Sequence, residues 1–114
     1  GVPIREIRVG GGGSRSDVVV QIAADMFNLP ASRMATSEIS ALGAAMDAAV
    51  GTGMYANFDE AVAAMVKKAR TFEPNPQNHR IYTRLFNDVY KKTFSTMEPV
   101  YRRIAQITGY PAED

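Results

Sequence analysis

Four consecutive glycines, Gly10–Gly13, run directly into Ser14-Arg15-Ser16-Asp17, and no other stretch of the chain has residue types and spacing so suited to chemistry. Glycine permits positive φ and lets a ligand approach the backbone closely. A helix starting directly behind such a turn offers unpaired N–H groups and a partial positive charge. The combination makes a seat for an anion, most often a phosphate. The same residues also make a tight strand-to-helix turn with no ligand. Both readings stand at this point.

Known phosphate loops narrow the choice. The P-loop pattern requires a lysine and then Ser or Thr after its last glycine. Gly13 is followed by Ser14-Arg15-Ser16, so that match fails. The dinucleotide fingerprint wants a third glycine or alanine where this chain has Ser16, a near miss. Glu38 follows the second candidate strand, where a ribose-binding acid would sit, so a dinucleotide reading survives as the alternative. No catalytic constellation emerges. Asp17, Asp25 and Asp47 fall on helical patterns without a histidine beside them. His79, the single histidine, lies near a loop, where a solvated surface role is expected, and one histidine builds no metal centre. Gln21 and Asp25 are four apart and share a helix face, which suits a local hydrogen bond or a polar helix edge. Binding without a complete reaction centre is the expectation.

The elements that must position the glycines follow from periodicity. Residues 4–9 alternate apolar and charged side chains, as a short strand does. The glycine turn 10–13 leads to a helix over about 16–28, capped by Ser14 or Ser16. Val18, Val19, Val20, Ile22, Ala23, Met26 and Phe27 cover most of its circumference, which predicts burial on more than one side. Asn28-Leu29-Pro30 ends it. Residues 31–36 suit a short extended segment. A second helix follows at about 38–50, capped by Thr36 or Ser37 and closed by Gly51-Thr52-Gly53. Gly43 in its middle implies a close packing partner. A third helix at 58–70 has Asn57 as its cap. A long amphipathic helix over 78–108 runs from Tyr82 to Ile107, and Pro99 should kink or divide it. Two strands make no free-standing sheet. The chain also opens Gly-Val-Pro without a methionine, so it reads as a piece of something longer.

Bulk properties set the outer bounds. With 114 residues, 46% hydrophobic and 22% charged, one globular domain is expected. The net charge of +1 makes no global case for nucleic acid or membrane. Residues 67–103 carry nine basic and three acidic side chains, but few aromatics lie among the charges, so a solvated helix face is expected there. There is no cysteine, which is compatible with a reducing cytoplasm. No apolar run approaches a membrane span.

Residues 11–25, Gly-Gly-Gly-Ser-Arg-Ser-Asp-Val-Val-Val-Gln-Ile-Ala-Ala-Asp, resemble the C-terminal domain of FGGY-type carbohydrate kinases, the xylulose kinase and glycerol kinase group. The resemblance continues through Leu29-Pro30, Glu38, Ala41-Leu42-Gly43-Ala44-Ala45, Ala48, Gly51 and Gly53. It ends with a proline-bearing loop and a Tyr-x-x-Leu-Phe-x-x-Val-Tyr helix at 82–90, and so covers nearly the whole chain. Ser14 departs from the family's usual alanine.

The resemblance implies an α/β fold: an incomplete C-terminal ribonuclease H-like domain of the actin and sugar kinase superfamily, mostly helical with two short strands. It implies a cytoplasmic, ATP-dependent phosphotransferase, with Mg2+ held mainly by the rest of the chain. Gly11, Gly12 and Gly13 would line the nucleotide, and Ser16 would stand near the adenine. Gly43 would let its helix pack near that pocket. The catalytic aspartate and the sugar-binding residues would lie outside this chain, which alone would be inactive and would bind nucleotide weakly. The sugar or polyol would be met through the missing part, with no nucleic acid or membrane partner. Apolar surface left bare by missing strands would favour a homo-oligomer. Readings from other classes are a piece of a dinucleotide-binding oxidoreductase and a helical interaction module using the basic second half.

Overall fold

The computed structural model describes residues 2–110. The chain splits after His79 into two compact units. In the first, a strand β1 (Ile7–Val9) leads through the glycines into a single 3-10 turn (Gly12–Arg15) and helix α1 (Asp17–Phe27). Strand β2 (Ala31–Met34), helices α2 (Ile39–Gly51) and α3 (Phe58–Met65), and strand β3 (Lys68–Phe72) follow. Helix α4 (Pro76–Leu85) carries the boundary between units. A π turn (Phe86–Tyr90) and helix α5 (Lys91–Thr108) complete the chain.

The sheet has three strands in the order β1-β2-β3. β1 and β2 run parallel, joined by α1 as crossover, with Ile7 opposite Ala31 and Val9 opposite Arg33. β2 and β3 run antiparallel, pairing Ala31 with Phe72 and Arg33 with Arg70, with a bulge after Arg33. The expected pair of strands is therefore corrected to three. β1 is also shorter than the 4–9 run, and the helix placed at 58–70 stops at Met65. Val66 and Ala69 continue the apolar spacing of α3, but Arg70, Thr71 and Phe72 gain ladder partners on β2. Such tertiary pairing overrides a local helical preference.

One sheet face packs on α1. Val20 and Ala24 of α1, Ala31 of β2 and Phe72 of β3 form the core, with Ile7, Val9 and Ala23 packed against it. α1 is buried on that side only; Val18, Val19, Ile22, Met26 and Phe27 are exposed, contrary to the expectation of burial on more than one side. The sheet can cover only one stripe of a helix. Asn28 ends α1 in the left-handed conformation, φ 53°, as the Asn-Leu-Pro sequence suggests. Asn57 caps α3 as expected, its side chain accepting from the N–H of Glu60 at 2.9 Å.

In the second unit the helical run is divided at 86–90 and not at Pro99, which lies inside α5. A proline removes one N–H, and the helix continues past it. The division coincides with an aromatic repeat. Tyr82, Phe86, Tyr90 and Phe94 recur every four residues, a spacing that drifts around an ordinary α-helix. Phe86 and Tyr90, at the two ends of the π turn, have stacked rings 5.7 Å apart. Among the described residues, no helix is long and apolar enough to cross a membrane.

A buried carboxylate ties α1 to the start of α4. Asp25 is 2% exposed. It accepts from Gln21 Nε2 at 2.8 Å, from the backbone N–H of Asn75 at 2.7 Å and from Asn78 Nδ2 at 2.7 Å. Its carbonyl oxygen lies 3.0 Å from His79 Nδ1. The expected solvated role of His79 is thereby corrected: its ring is half-buried in this network. The Gln21–Asp25 hydrogen bond expected from the sequence is present. Burial pushes the Asp25 carboxyl up, but the bonds from Asn75, Asn78 and Gln21 outweigh it and hold the carboxyl below its usual value. A folded-state pKa below the unfolded one means that folding favours the ionised form. Stability from Asp25 is therefore present above the ordinary carboxylate pKa of about 4 and is lost as pH falls below it through the lower folded-state value. Urea melts should show Asp25→Asn costing about 1–3 kcal/mol at neutral pH, because an amide faces donors that need an acceptor. The difference between wild type and variant should shrink on acidification.

Candidate functional site

The glycines divide into two kinds. A Cβ added at Gly10 would sit 2.7 Å from Ile39 Cγ2 and 2.9 Å from Ile39 Cδ1. Gly10 is thus required by the close approach of α2's first residue. Gly11 adopts φ 82° and ψ −178°, a conformation essentially confined to glycine, while its N–H donates to the Ser37 carbonyl at 3.1 Å. Gly12 and Gly13 are different. A Cβ at Gly12 would meet nothing within 4 Å, and one at Gly13 only Val19 at 3.9 Å. Neither has positive φ, and both are exposed. The fold accounts for the first pair and leaves open space over the second.

Hydrogen bonds set the turn's shape. Buried Ser14 donates through Oγ to the Gly11 carbonyl at 2.7 Å, and its N–H donates to the same oxygen at 3.1 Å. Ser16 N–H donates to the Gly13 carbonyl at 3.2 Å. Ser14 therefore closes the turn, and Ser16 occupies the cap position of α1 with no side-chain cap bond. The expected side-chain cap is absent, because the Ser14 hydroxyl is spent inside the turn. Nor does Thr36 or Ser37 cap α2; Glu38 holds that position, and its N–H donates to Thr36 Oγ1 at 3.1 Å.

Charged side chains ring the turn. Arg15 donates through Nε to Ser37 Oγ at 3.0 Å and through Nη2 to Glu38 Oε1 at 2.9 Å. Arg33 Nη1 lies 2.6 Å from Asp17 Oδ1 and 3.4 Å from the Arg15 carbonyl. Arg70 Nη1 reaches the other Asp17 oxygen at 2.5 Å, its guanidinium resting over the Phe72 ring. The residues singled out in the sequence, Gly11, Gly12, Gly13 and Ser16, do fall on one short turn, with Gly12, Gly13 and Ser16 exposed. Gly43 does not fit its expectation: nothing lies within 4 Å of a Cβ built there. The close approach occurs instead between Gly10 and Ile39, where a glycine in the loop meets a side chain on the helix. Sequence reading missed Arg33 and Arg70. Their partner Asp17 is distant along the chain, and only the strand register brings them together. No group of three or more His, Cys, Asp or Glu suited to a metal occurs among the described residues.

This parallel βαβ start, with a glycine turn at the head of its helix, carries sequence of the carbohydrate kinases. Residues 1–52 match the family model of the FGGY carbohydrate kinases, C-terminal domain. In sequence and in fold the chain is similar to the FGGY carbohydrate kinases, and what it matches is the C-terminal region of those proteins. It is 35% identical to a xylulose kinase of Staphylococcus epidermidis over 99 residues, covering 87% of this chain and 18% of that one. A glycerol kinase of Acinetobacter baylyi is 41% identical over 83 residues, covering 73% of this chain and 17% of that protein. The crystal structure of a xylulose kinase from Rhodospirillum rubrum superposes with a TM-score of 0.67 at 30% identity, over 86% of this chain and 20% of that one. The chain thus spans about a fifth of the length of the solved relative. The expected α/β fold of the actin and sugar kinase superfamily is borne out, mostly helical, with the strand count corrected.

The two kinds of glycine separate in stability measurements. Gly10→Ala should lose about 1–3 kcal/mol through overpacking against Ile39. Gly12→Ala should change stability by less than about 0.5 kcal/mol. Denaturant titration of both variants checks this, and equal losses would contradict the assignment.

Proposed function

We propose that this chain is the nucleotide-binding C-terminal part of a longer, ATP-dependent carbohydrate kinase. The complete protein transfers the γ-phosphoryl group of ATP to a hydroxyl of a sugar or polyol. The observation that carries this reading is the open, side-chain-free surface over Gly12 and Gly13, which the packing of the fold does not require. A flat base and ribose can lie against such backbone. The head of α1 directs N–H groups and positive potential towards the phosphates. Gly11 holds the bend, Gly12 and Gly13 line the nucleotide, and Ser16 stands near the adenine.

Phosphoryl transfer requires acceptor, base and metal-bound triphosphate positioned together. The described residues include no acidic cluster fit to cage Mg2+, so in this reading the ion arrives with the triphosphate and is held mainly outside these residues. The catalytic base and the sugar-binding groups likewise belong to the rest of the kinase. The chain alone is then inactive and binds nucleotide weakly. The oxidoreductase alternative gains nothing from the relatives. Glu38, its would-be ribose acid, is engaged by Arg15.

Gly12→Val in the complete kinase should raise the ATP KM by tenfold or more, on the order expected for a misplaced substrate, with the sugar KM little changed. Steady-state kinetics with each substrate varied in turn checks this. Equal effects on both constants would remove the glycine turn from the nucleotide site.

A further inference from the structure

Neither helical piece at the glycine turn is held by its own cap. The 3-10 turn begins at Gly11 and α1 at Ser16, and neither residue makes a side-chain cap bond. The joint between them is braced from outside, and one guanidinium reaches both of its sides. Arg33 Nη1 lies 2.6 Å from Asp17 Oδ1, on the first residue of α1, and 3.4 Å from the carbonyl of Arg15, the last residue of the 3-10 turn. We infer that Arg33 is a positioning residue for the nucleotide site: through Asp17 and the Arg15 carbonyl it sets the angle between the glycine turn and α1. This rests on the nucleotide reading given above.

Where Arg33 stands supports the role. It lies on β2, the central strand, opposite Val9 on one side and Arg70 on the other. Its backbone is thus fixed from both flanks. Its side chain is the least exposed of the three charged partners, at 26% against 47% for Asp17 and 57% for Arg70. Ion pairs this open to water contribute little to stability. Their effect lies in geometry: both carboxylate oxygens of Asp17 are engaged, Oδ1 by Arg33 and Oδ2 by Arg70. That leaves the first turn of α1 little freedom to rotate. N–H groups at the head of α1 point where this bracing directs them, and a small angular error there costs a bound phosphate its hydrogen bonds.

The test uses the complete kinase. Arg33→Met keeps the aliphatic stem and removes the guanidinium. It should raise the ATP KM and the ATP dissociation constant from calorimetry about tenfold, leaving the sugar KM and kcat within about twofold. Arg33→Lys restores a donor near Asp17 and should recover most of the loss. Because Arg33 acts through Asp17, the Arg33→Met/Asp17→Asn double variant should be no weaker for ATP than the worse single variant. A melting temperature that falls while ATP affinity stays unchanged would overturn the inference, and so would additive losses, which would mean direct contact with the nucleotide. A silent Arg33→Met alongside a Gly12→Val defect would leave the nucleotide site standing and remove only Arg33. A wild-type kinase that binds no ATP would remove both.

Discussion

Four residues in the middle of the sheet, Ala31–Met34, are bonded to a strand on each side, and the first unit is built outward from them. Their parallel pairing with β1 fixes where that strand ends, hence where the glycines begin. Their antiparallel pairing with β3 brings Phe72 over α1 and Arg70 beside Arg33. Ala31 and Ser32 are fully buried, and Ser32 Oγ shares a hydrogen bond with Thr71 Oγ1 at 2.9 Å on the face away from the core. So short a strand tolerates no slip. A shift of one residue would turn Ser32 onto the core and carry Ala31 and Arg33 to the opposite face, leaving Ser32 and Arg33 without their partners.

The turn that this arrangement produces is economical in what it asks of each residue. Gly10 makes room for Ile39, Gly11 supplies the backbone conformation, and Ser14 closes the loop with one hydroxyl. The next two glycines have no such duty in the fold. The proposal of a nucleotide site rests on that difference, on contacts that the protein withholds.

What the sequence disclosed divides along the same physical line. Local signals were readable: the glycine turn, the Asn28-Leu29-Pro30 stop, the Asn57 cap, and the Gln21–Asp25 pair one helical turn apart. Each is decided by neighbours in the chain. Features that depend on distant partners were not. β3 carries helix-like spacing, and only the ladder with β2, about 40 residues away in the pairing of Ser32 with Thr71, makes it a strand. Asp25 meets Asn75 and Asn78 across 50 and 53 residues, and Asp17 meets Arg70 across 53. Of the candidate site, the turn formed by the glycines and Ser16 was legible and the surrounding arginines were not. The role assigned to Gly43 failed because a small residue in a helix permits close packing without demanding it.

The π turn at Phe86–Tyr90 has a further consequence for how this protein can change over time. A turn of that kind is wider than its neighbours, so it carries the aromatic stripe across a point where ordinary winding would lose phase. Loss of a single residue from it would restore regular winding and leave the helix faces on either side nearly in line, because the extra residue is taken up inside the wide turn. A one-codon deletion within the turn should therefore disturb the helix less than the same deletion anywhere along α5.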